Sequence, residues 1–179
     1  GDSTVSTIAF IGLGIMGGPM ARQLVAGGHS VIGFNRSRGP VERLVSDGGT
    51  AAGSVAEAVR DAEVIITMVP DSPDVEDLAL GEGGIYANAP RGAIHIDMSS
   101  IRPDVAARIA DAGHVAGIRV MDAPVSGGET GAIEGTLSPR TRSGSTKPFG
   151  AAPSYGTLWR IPPMTSLSYL LRASLRPTL

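Results

Sequence analysis

Short apolar runs alternate with longer amphipathic segments along the first two thirds of this chain. The apolar runs predict six strands, at residues 8–11, 30–34, 50–52, 63–69, 93–98 and 117–121. The segments between them predict helices at residues 16–26, 37–47, 72–80 and 102–112, and one more that opens at Ser54. Strands that alternate with helices pair in parallel through right-handed crossovers. The pattern therefore predicts an α/β fold with a doubly wound parallel sheet.

The end of the first predicted strand carries the clearest chemical signal. The apolar run stops at Gly12, and Gly14 and Gly17 follow before a helical pattern begins. In a dinucleotide site, the first glycine permits a tight turn, the second lets a pyrophosphate approach the backbone, and the third lets the helix pack closely. The unpaired N–H groups at the helix start would face the phosphates. An ordinary glycine-rich turn is the alternative, but the place between a strand and a helix favours a Rossmann-like NAD(P)-binding domain.

Composition narrows the class of partner. The chain has 179 residues, 42% of them apolar, no cysteine and a formal net charge of −2. The absence of a basic excess argues against nucleic acid, and the absence of cysteine excludes disulfides and thiolate metal sites. No apolar stretch approaches the roughly 20 residues that cross a bilayer. We expect a cytoplasmic protein with no nucleic-acid, membrane or metal partner.

Charge divides the chain into two regimes. All 17 acidic residues lie in 1–138, whereas residues 139–179 contain six basic residues, six prolines and no acid. The α/β alternation also stops there, and residues 166–175 are the one remaining segment of helical length. We therefore predict an NAD(P)-binding domain at 1–138 and an irregular basic C-terminal tail at 139–179.

The segment after the second predicted strand bears on the choice of dinucleotide. Asn35, Arg36 and Ser37 stand where an NAD site usually has an acid that accepts from the ribose hydroxyls. Without that acid nothing repels a 2′-phosphate, and a guanidinium can pair with it through two hydrogen bonds. This favours NADP as the cofactor, with NAD as the alternative. In the plainer interpretation Arg36 is a solvated turn residue and Asn35 a turn former.

Residues that follow the fourth and fifth predicted strands complete the candidate site, because ligands of such sheets bind outside the carboxyl ends of the strands. Each of them has an alternative role as a strand stop or helix cap. The predicted cofactor contacts are Gly12, Leu13, Gly14, Ile15, Met16, Gly17, Asn35, Arg36, Ser37, Met68, Val69, Pro70 and Ser100.

Three stretches, at residues 10–20, 96–100 and 122–128, resemble the β-hydroxyacid dehydrogenase family. Residues 64–73, 79–85 and 128–138 look most like its branch of 2-hydroxy-3-oxopropionate (tartronate semialdehyde) reductases, with 3-hydroxyisobutyrate dehydrogenases as the nearest rival. The resemblance runs from about Val5 to Ser138. It implies an NAD(P)-dependent oxidoreductase that reduces a small carboxylate-bearing aldehyde, a semialdehyde, to the hydroxy acid.

The resemblance also implies a substrate site. In the family the stretch that matches residues 122–128 holds the substrate, so Ser126 would hydrogen-bond it and the N–H groups of Gly127 and Gly128 would bind the carboxylate. A glycine pair leaves its amides open to an anion. From the residues alone, a substrate loop and a plain turn are equally good interpretations.

The resemblance stops after Ser138. The family continues with a segment that carries a catalytic lysine and with a helical C-terminal domain, and residues 139–179 match neither. Lys147, the one lysine of the chain, lacks that context, so no catalytic residue is assigned. His29, His95 and His114 match no catalytic position and are interpreted as packing or surface residues.

Two functions remain open at this point. One is a reductase of the family, inactive or weak as the chain stands, and the other is a non-catalytic dinucleotide-binding remnant. The tail is consistent with a shift of reading frame after Ser138, and a genuinely divergent tail is the alternative. Because the family's helical domain would otherwise cover one face, we also expect self-association through that face.

Overall fold

The computed structural model describes residues 5–126 and 138–139, which form two β-sheets and six helices. The strands, in chain order, are β1 (Thr7–Ile11), β2 (Ser30–Phe34), β3 (Thr50–Ala51), β4 (Val64–Thr67), β5 (Ile94–Asp97), β6 (Arg119–Asp122), β7 (Val125–Ser126) and β8 (Ser138–Pro139). The helices are α1 (Gly17–Ala26), α2 (Arg38–Ser46), α3 (Val55–Val59), α4 (Ser72–Leu80), α5 (Ile85–Asn88) and α6 (Pro103–Val115). Among these described residues, no helix is both long and apolar enough to cross a membrane.

The main sheet has six strands in the order β3-β2-β1-β4-β5-β6, and each strand pairs in parallel with its neighbours. The chain first builds outward from β1 to β3, and then returns to the other side of β1 to add β4, β5 and β6. Such a reversal is the topological switch point of a doubly wound fold. The predicted α/β class and parallel sheet are thereby confirmed.

Burial on both faces explains why the central strands are apolar runs rather than alternating ones. Ile8 and Phe10 of β1 enter one hydrophobic cluster, whereas Ala9 and Ile11 enter another on the opposite face. Successive side chains of a strand point to opposite faces, so a strand covered by helices on both sides needs apolar residues at every position. All four residues of β4 are buried for the same reason.

Helix boundaries match the predictions with small differences. The helix predicted for residues 102–112 extends to Val115, and the four-residue helix α5 was not predicted at all. At α3 the Ser54 hydroxyl accepts from the N–H of Glu57, as expected of a capping box. The carboxylate of Glu57, however, accepts from the N–H of Gly53 and not from that of Ser54. The reciprocal bond therefore forms one residue earlier.

The chain after β6 departs from the single loop that the sequence predicts for residues 122–128. Asp122 belongs to β6, and β7 pairs antiparallel with β8, with Ser126 opposite Ser138. The prediction of one continuous loop is therefore wrong at Asp122, Val125 and Ser126, which belong to strands, whereas residues 127 and 128 lie outside the described residues. The boundary predicted after Ser138 falls inside β8, and the helix predicted at residues 166–175 lies outside the described residues.

Candidate dinucleotide site

The glycine turn lies at the switch point of the main sheet. It follows β1, whose neighbours on either side are β2 and β4. The carboxyl ends of these three parallel strands meet at one edge, where ligands of doubly wound sheets bind. The fold therefore brings the residues after β1, β2 and β4, which the sequence assigns to one site, to the same edge.

Gly12 makes the turn and no other residue fits there. Its φ is +97°, and a Cβ at this position would lie 2.1 Å from the carbonyl oxygen of Met68 at the end of β4. The N–H of Gly12 donates to the carbonyl of Phe34 at 3.0 Å, which ties the turn to β2. The left-handed backbone and the close approach both require glycine. Gly12 thus joins the ends of three strands.

Gly17 allows α1 to start directly against that turn. A Cβ at Gly17 would lie 1.8 Å from the carbonyl oxygen of Gly12, a separation that no side chain tolerates. Leu13, between the two glycines, is 1% exposed and belongs to the core rather than to an open surface. Leu13 therefore anchors the turn in the core, whereas Gly14 and Ile15, which follow it, are exposed.

Gly14 has a different environment. It is exposed, and a Cβ built on it would meet no atom of the described residues within 4 Å. Nothing among the residues that the structure describes therefore requires glycine at this position, whereas a phosphate that approaches the backbone would require it. Ile15 beside it is 70% exposed, and Met16 is half-buried.

The start of α1 also fits an anionic group. Met16, the N-cap, makes no side-chain capping hydrogen bond, and the first turn contains no acidic residue. The first N–H groups of a helix carry its positive end, which favours an anion. The open space above Gly14 and this helix start together fit the pyrophosphate of a dinucleotide.

Asn35 acts through the backbone of the turn. Its Oδ1 accepts from the N–H of Leu13 at 3.0 Å, and its Nδ2 donates to the carbonyl of Ser37 at 3.2 Å. Ser37 itself is exposed and caps α2 without a side-chain hydrogen bond. Asn35 therefore locks the segment after β2 onto the glycine turn, a positioning role that the sequence did not predict.

Arg36 extends from this segment with its side chain 79% exposed. Nη2 of Arg36 lies 2.8 Å from Oδ1 of Asp74 in the first turn of α4. The sequence could not predict this partner, because the two residues are 38 positions apart and come together only at the shared sheet edge. The available signal was that α4 opens directly after β4 with an acid in its first turn.

The residues that end β4 and β5 are linked to each other. Met68 and Val69 are half-buried, Pro70 and Ser100 are exposed, and Ser99 is fully buried. The Ser99 hydroxyl accepts from the N–H of Val69 at 3.0 Å. Ser99 therefore joins the segments that follow the two strands, and Ser100 beside it is exposed.

Beneath this edge lies a buried polar chain that sequence reasoning missed. The Thr67 hydroxyl donates to Oδ1 of Asp97 at 2.8 Å, so its oxygen can accept from Nε2 of His95 at 2.9 Å. In a neutral imidazole Nδ1 is then free to accept from the Tyr86 hydroxyl at 2.8 Å. All donors of the chain thus point toward the Asp97 carboxylate, an arrangement in which hydrogen bonds strengthen one another.

Burial shifts the pKa values of the three titratable groups in this hydrogen-bonded chain, Tyr86, His95 and Asp97. It lowers the pKa of His95 to about 4 and raises the pKa of Tyr86 well above its usual range, with the charge of Asp97 adding to the latter. Burial also raises the pKa of Asp97 to about 6, although hydrogen bonds from Thr67 and Ser99 oppose the rise. Oδ2 of Asp97 has no hydrogen-bond partner among the described residues. An ionised Asp97 therefore costs stability.

The stability of the Asp97→Asn variant, compared with that of the parent protein, should increase as the pH increases. Folding raises the pKa of Asp97 from 3.8 to about 6. The contribution of Asp97 to the free energy of unfolding is therefore fully present below pH 3.8 and is lost as the pH rises through about 6. Asparagine keeps the acceptor for Thr67 and removes that charge. The difference in unfolding free energy, variant minus parent, should rise by about 1–3 kcal/mol between pH 4 and pH 8.

Urea unfolding at several pH values measures that difference. Asp111→Asn, at an exposed position of α6, is the matched control for removal of one carboxylate. If the unfolding free energy of Asp97→Asn minus that of the parent stays constant or falls with pH, the pKa of Asp97 is not raised by folding.

The three histidines and the residues of the predicted substrate loop lie apart from the glycine turn in the sequence. His95 is packed as described, His114 is exposed, and Nδ1 of half-buried His29 accepts from the N–H of Ser6 at 3.3 Å. The backbone of Ser126 lies in β7. Gly127, Gly128 and Lys147 lie outside the described residues, so their predicted roles, or lack of one, stay predictions.

Five large apolar side chains are exposed among the described residues, and each comes from a different part of the chain. They are Val5, Ile15, Val45, Leu80 and Val115. The predicted self-association through an uncovered apolar face stays a prediction.

The fold and the glycine turn define a nicotinamide-dinucleotide-binding domain. Residues 7–149 match the family model described as the NAD binding domain of 6-phosphogluconate dehydrogenase. The chain belongs to this family and, with it, to the β-hydroxyacid dehydrogenases, as its resemblance implied.

Individual relatives show the same family relationship. The chain is 43% identical over 134 residues to the 3-hydroxyisobutyrate dehydrogenase of Pseudomonas aeruginosa, covering 75% of this chain and 45% of that one. It is 42% identical over 132 residues to the 2-hydroxy-3-oxopropionate reductase of Escherichia coli, covering 73% and 44%. The structure of Mycobacterium tuberculosis 3-hydroxyisobutyrate dehydrogenase with L-serine superposes with a TM-score of 0.73 at 36% identity, covering 77% and 46%. The chain thus spans about half the length of the relatives it matches.

Proposed function

We propose that this chain is the cofactor-binding part of an oxidoreductase that reduces a small carboxylate-bearing aldehyde to the hydroxy acid, with NADP preferred and NAD as the alternative. The observation that carries the proposal is Gly14, which is open to solvent beside an uncapped helix start. That arrangement is explained by an anionic ligand and by no contact within the described residues. A cytoplasmic location is part of the proposal, and the lack of cysteine is compatible with it.

The residues around the turn have distinct roles in this proposal. Gly12 and Gly17 shape the turn, Gly14 admits the pyrophosphate, and Asn35 holds the turn against the segment after β2. Arg36 binds the 2′-phosphate. Met68, Val69, Pro70 and Ser100 line the edge where the nicotinamide would lie. The bound nicotinamide supplies the hydride.

We assign the substrate contacts to Ser126, Gly127 and Gly128, because the family resemblance implies this role for them. Amides of a glycine pair suit a carboxylate, and the Ser126 hydroxyl suits a second polar group. The relatives named above act on 2-hydroxy-3-oxopropionate or 3-hydroxyisobutyrate, and one was solved with L-serine, which is also a small 3-hydroxy acid. A small hydroxylated or methylated semialdehyde is therefore the proposed substrate class.

Turnover of two semialdehydes tests the substrate. We expect kcat/KM for 2-hydroxy-3-oxopropionate to exceed that for the semialdehyde formed by oxidation of 3-hydroxyisobutyrate by at least about tenfold. The second compound has a methyl group in place of the 2-hydroxyl, and a site that hydrogen-bonds a hydroxyl rejects an analogue without it. NADPH oxidation measures both rates, and an aldehyde of similar size without a carboxylate is the control. The reverse order would point to a 3-hydroxyisobutyrate dehydrogenase. Both rates should be low, because no catalytic residue is assigned in this chain, and NADPH binding without any turnover would favour the non-catalytic dinucleotide-binding alternative.

A further inference from the structure

One ion pair connects the two segments that flank the glycine turn. Arg36 follows β2, and Asp74 lies in the first turn of α4, which follows β4. Their side chains approach to 2.8 Å. Because β2 and β4 are the two neighbours of β1 in the sheet, this pair lies across the carboxyl end of β1. An acid therefore stands beside Arg36, at the edge where the segment after β2 supplies none.

The two members of the pair differ in freedom. The Arg36 side chain is 79% exposed, whereas that of Asp74 is only 25% exposed. Asp74 sits on a helix whose N-cap, Asp71, accepts from the N–H of Ser72. The helix start favours a carboxylate in its first turn. Asp74 is thus the fixed member, and Arg36 is the member that can move to another partner.

We propose that Asp74 is a specificity-determining residue of the dinucleotide site, which engages Arg36 and lowers the affinity for NADP relative to NAD. This inference rests on the proposed function, because it concerns the same site. It deepens that function by naming the residue that limits the preference for NADP.

The Asp74 carboxylate and a 2′-phosphate would compete for a single guanidinium, that of Arg36. A phosphate monoester carries about −1.5 to −2 charges at neutral pH. To pair with Arg36, a 2′-phosphate must displace the Asp74 carboxylate or share the guanidinium with it at close range. Both cost binding free energy, because one loses an ion pair and the other brings like charges together. A dinucleotide without the 2′-phosphate leaves the pair unchanged.

Asp74→Asn is the test, read as equilibrium binding by titration of NADPH and NADH fluorescence. We expect NADPH to bind about fivefold more tightly and NADH to change less than about twofold, the scale of an exposed ion pair. Asp61→Asn is the matched control, since Asp61 is 81% exposed and precedes β4 at the opposite edge of the sheet. In an Arg36→Ala background, Asp74→Asn should leave NADPH affinity unchanged.

Each other result overturns the inference in a distinct way. Weaker NADPH binding by Asp74→Asn would mean that Asp74 orients Arg36 for the phosphate. Weaker NADH binding would mean a direct contact with the ribose. An equal gain in Asp61→Asn would mean a general charge effect. If the parent binds both dinucleotides and Asp74→Asn changes neither, this inference fails and the proposed function stands. If the parent binds neither, the proposed function fails with it.

Discussion

Replacing Gly14 by valine is expected to weaken the binding of both NADPH and NADH by at least about a hundredfold, or about 2.8 kcal/mol. A Cβ at this position meets no atom of the described residues within 4 Å, and the φ of Gly14 is not positive. The side chain should therefore be tolerated by the folded protein. It would occupy the place where the pyrophosphate approaches the backbone.

The comparison with thermal stability makes this prediction specific. Gly83→Val is the matched control, because Gly83 is also exposed and a Cβ there also meets nothing within 4 Å of the described residues. Both variants should keep the parent's melting temperature, and only Gly14→Val should lose dinucleotide binding. Unchanged affinity in Gly14→Val would show that the glycine turn does not bind a pyrophosphate.

The parts of the fold that sequence alone predicts are those with strong local periodicity. Strands β1 and β4 are apolar at all but one position each because both of their faces are covered, and this produces the apolar runs. The helix α5 was missed because four residues are too few to show a helical period. The pairing of β7 with β8 was missed because each is only two residues long and their partners are 12 positions apart, as in Ser126 and Ser138.

The residues of the candidate site also differ in whether their roles depend on local sequence or on distant contacts. Gly12, Gly14 and Gly17 could be predicted because their roles depend on a local turn between neighbouring elements. The roles of Asn35, Asp74 and Ser99 depend on contacts across strands, over separations of 22, 38 and 30 residues. Residue type at those positions is compatible with a turn former, a helix start or a strand stop. Only the meeting of strand ends at one edge distinguishes those roles from the ones observed.

The buried chain from Tyr86 to Asp97 shows a related limit. His95 alternates with Ile94 and Ile96 in a strand that is buried throughout, so it packs in the core, which is one of the two positions, packing or surface, that the sequence predicts for it. Its partners Thr67 and Tyr86 come from β4 and α5, and neither was predicted to contact it. A buried polar residue predicts that partners exist, but not which ones.

Arg36→Asp should shift the preference from NADP toward NAD by at least about tenfold, or 1.4 kcal/mol, in the ratio of the two dissociation constants. The substitution removes the guanidinium proposed to bind the 2′-phosphate. It also places a carboxylate after β2, where sites for NAD use an acid to accept from the ribose hydroxyls. Because the ratio compares two ligands on one protein, a general loss of folded protein leaves it unaffected.

The control for Arg36→Asp must carry the same change of two charges away from the site. Arg60→Asp meets this need, since Arg60 is 71% exposed and lies between α3 and β4, at the opposite edge of the sheet. Titration of each variant with NADPH and NADH gives the two ratios. We expect the ratio for Arg60→Asp to equal that of the parent. An unaltered ratio for Arg36→Asp would show that Arg36 does not contact the phosphate, and the proposed role of Asp74 would then fail while the glycine turn could still bind both dinucleotides.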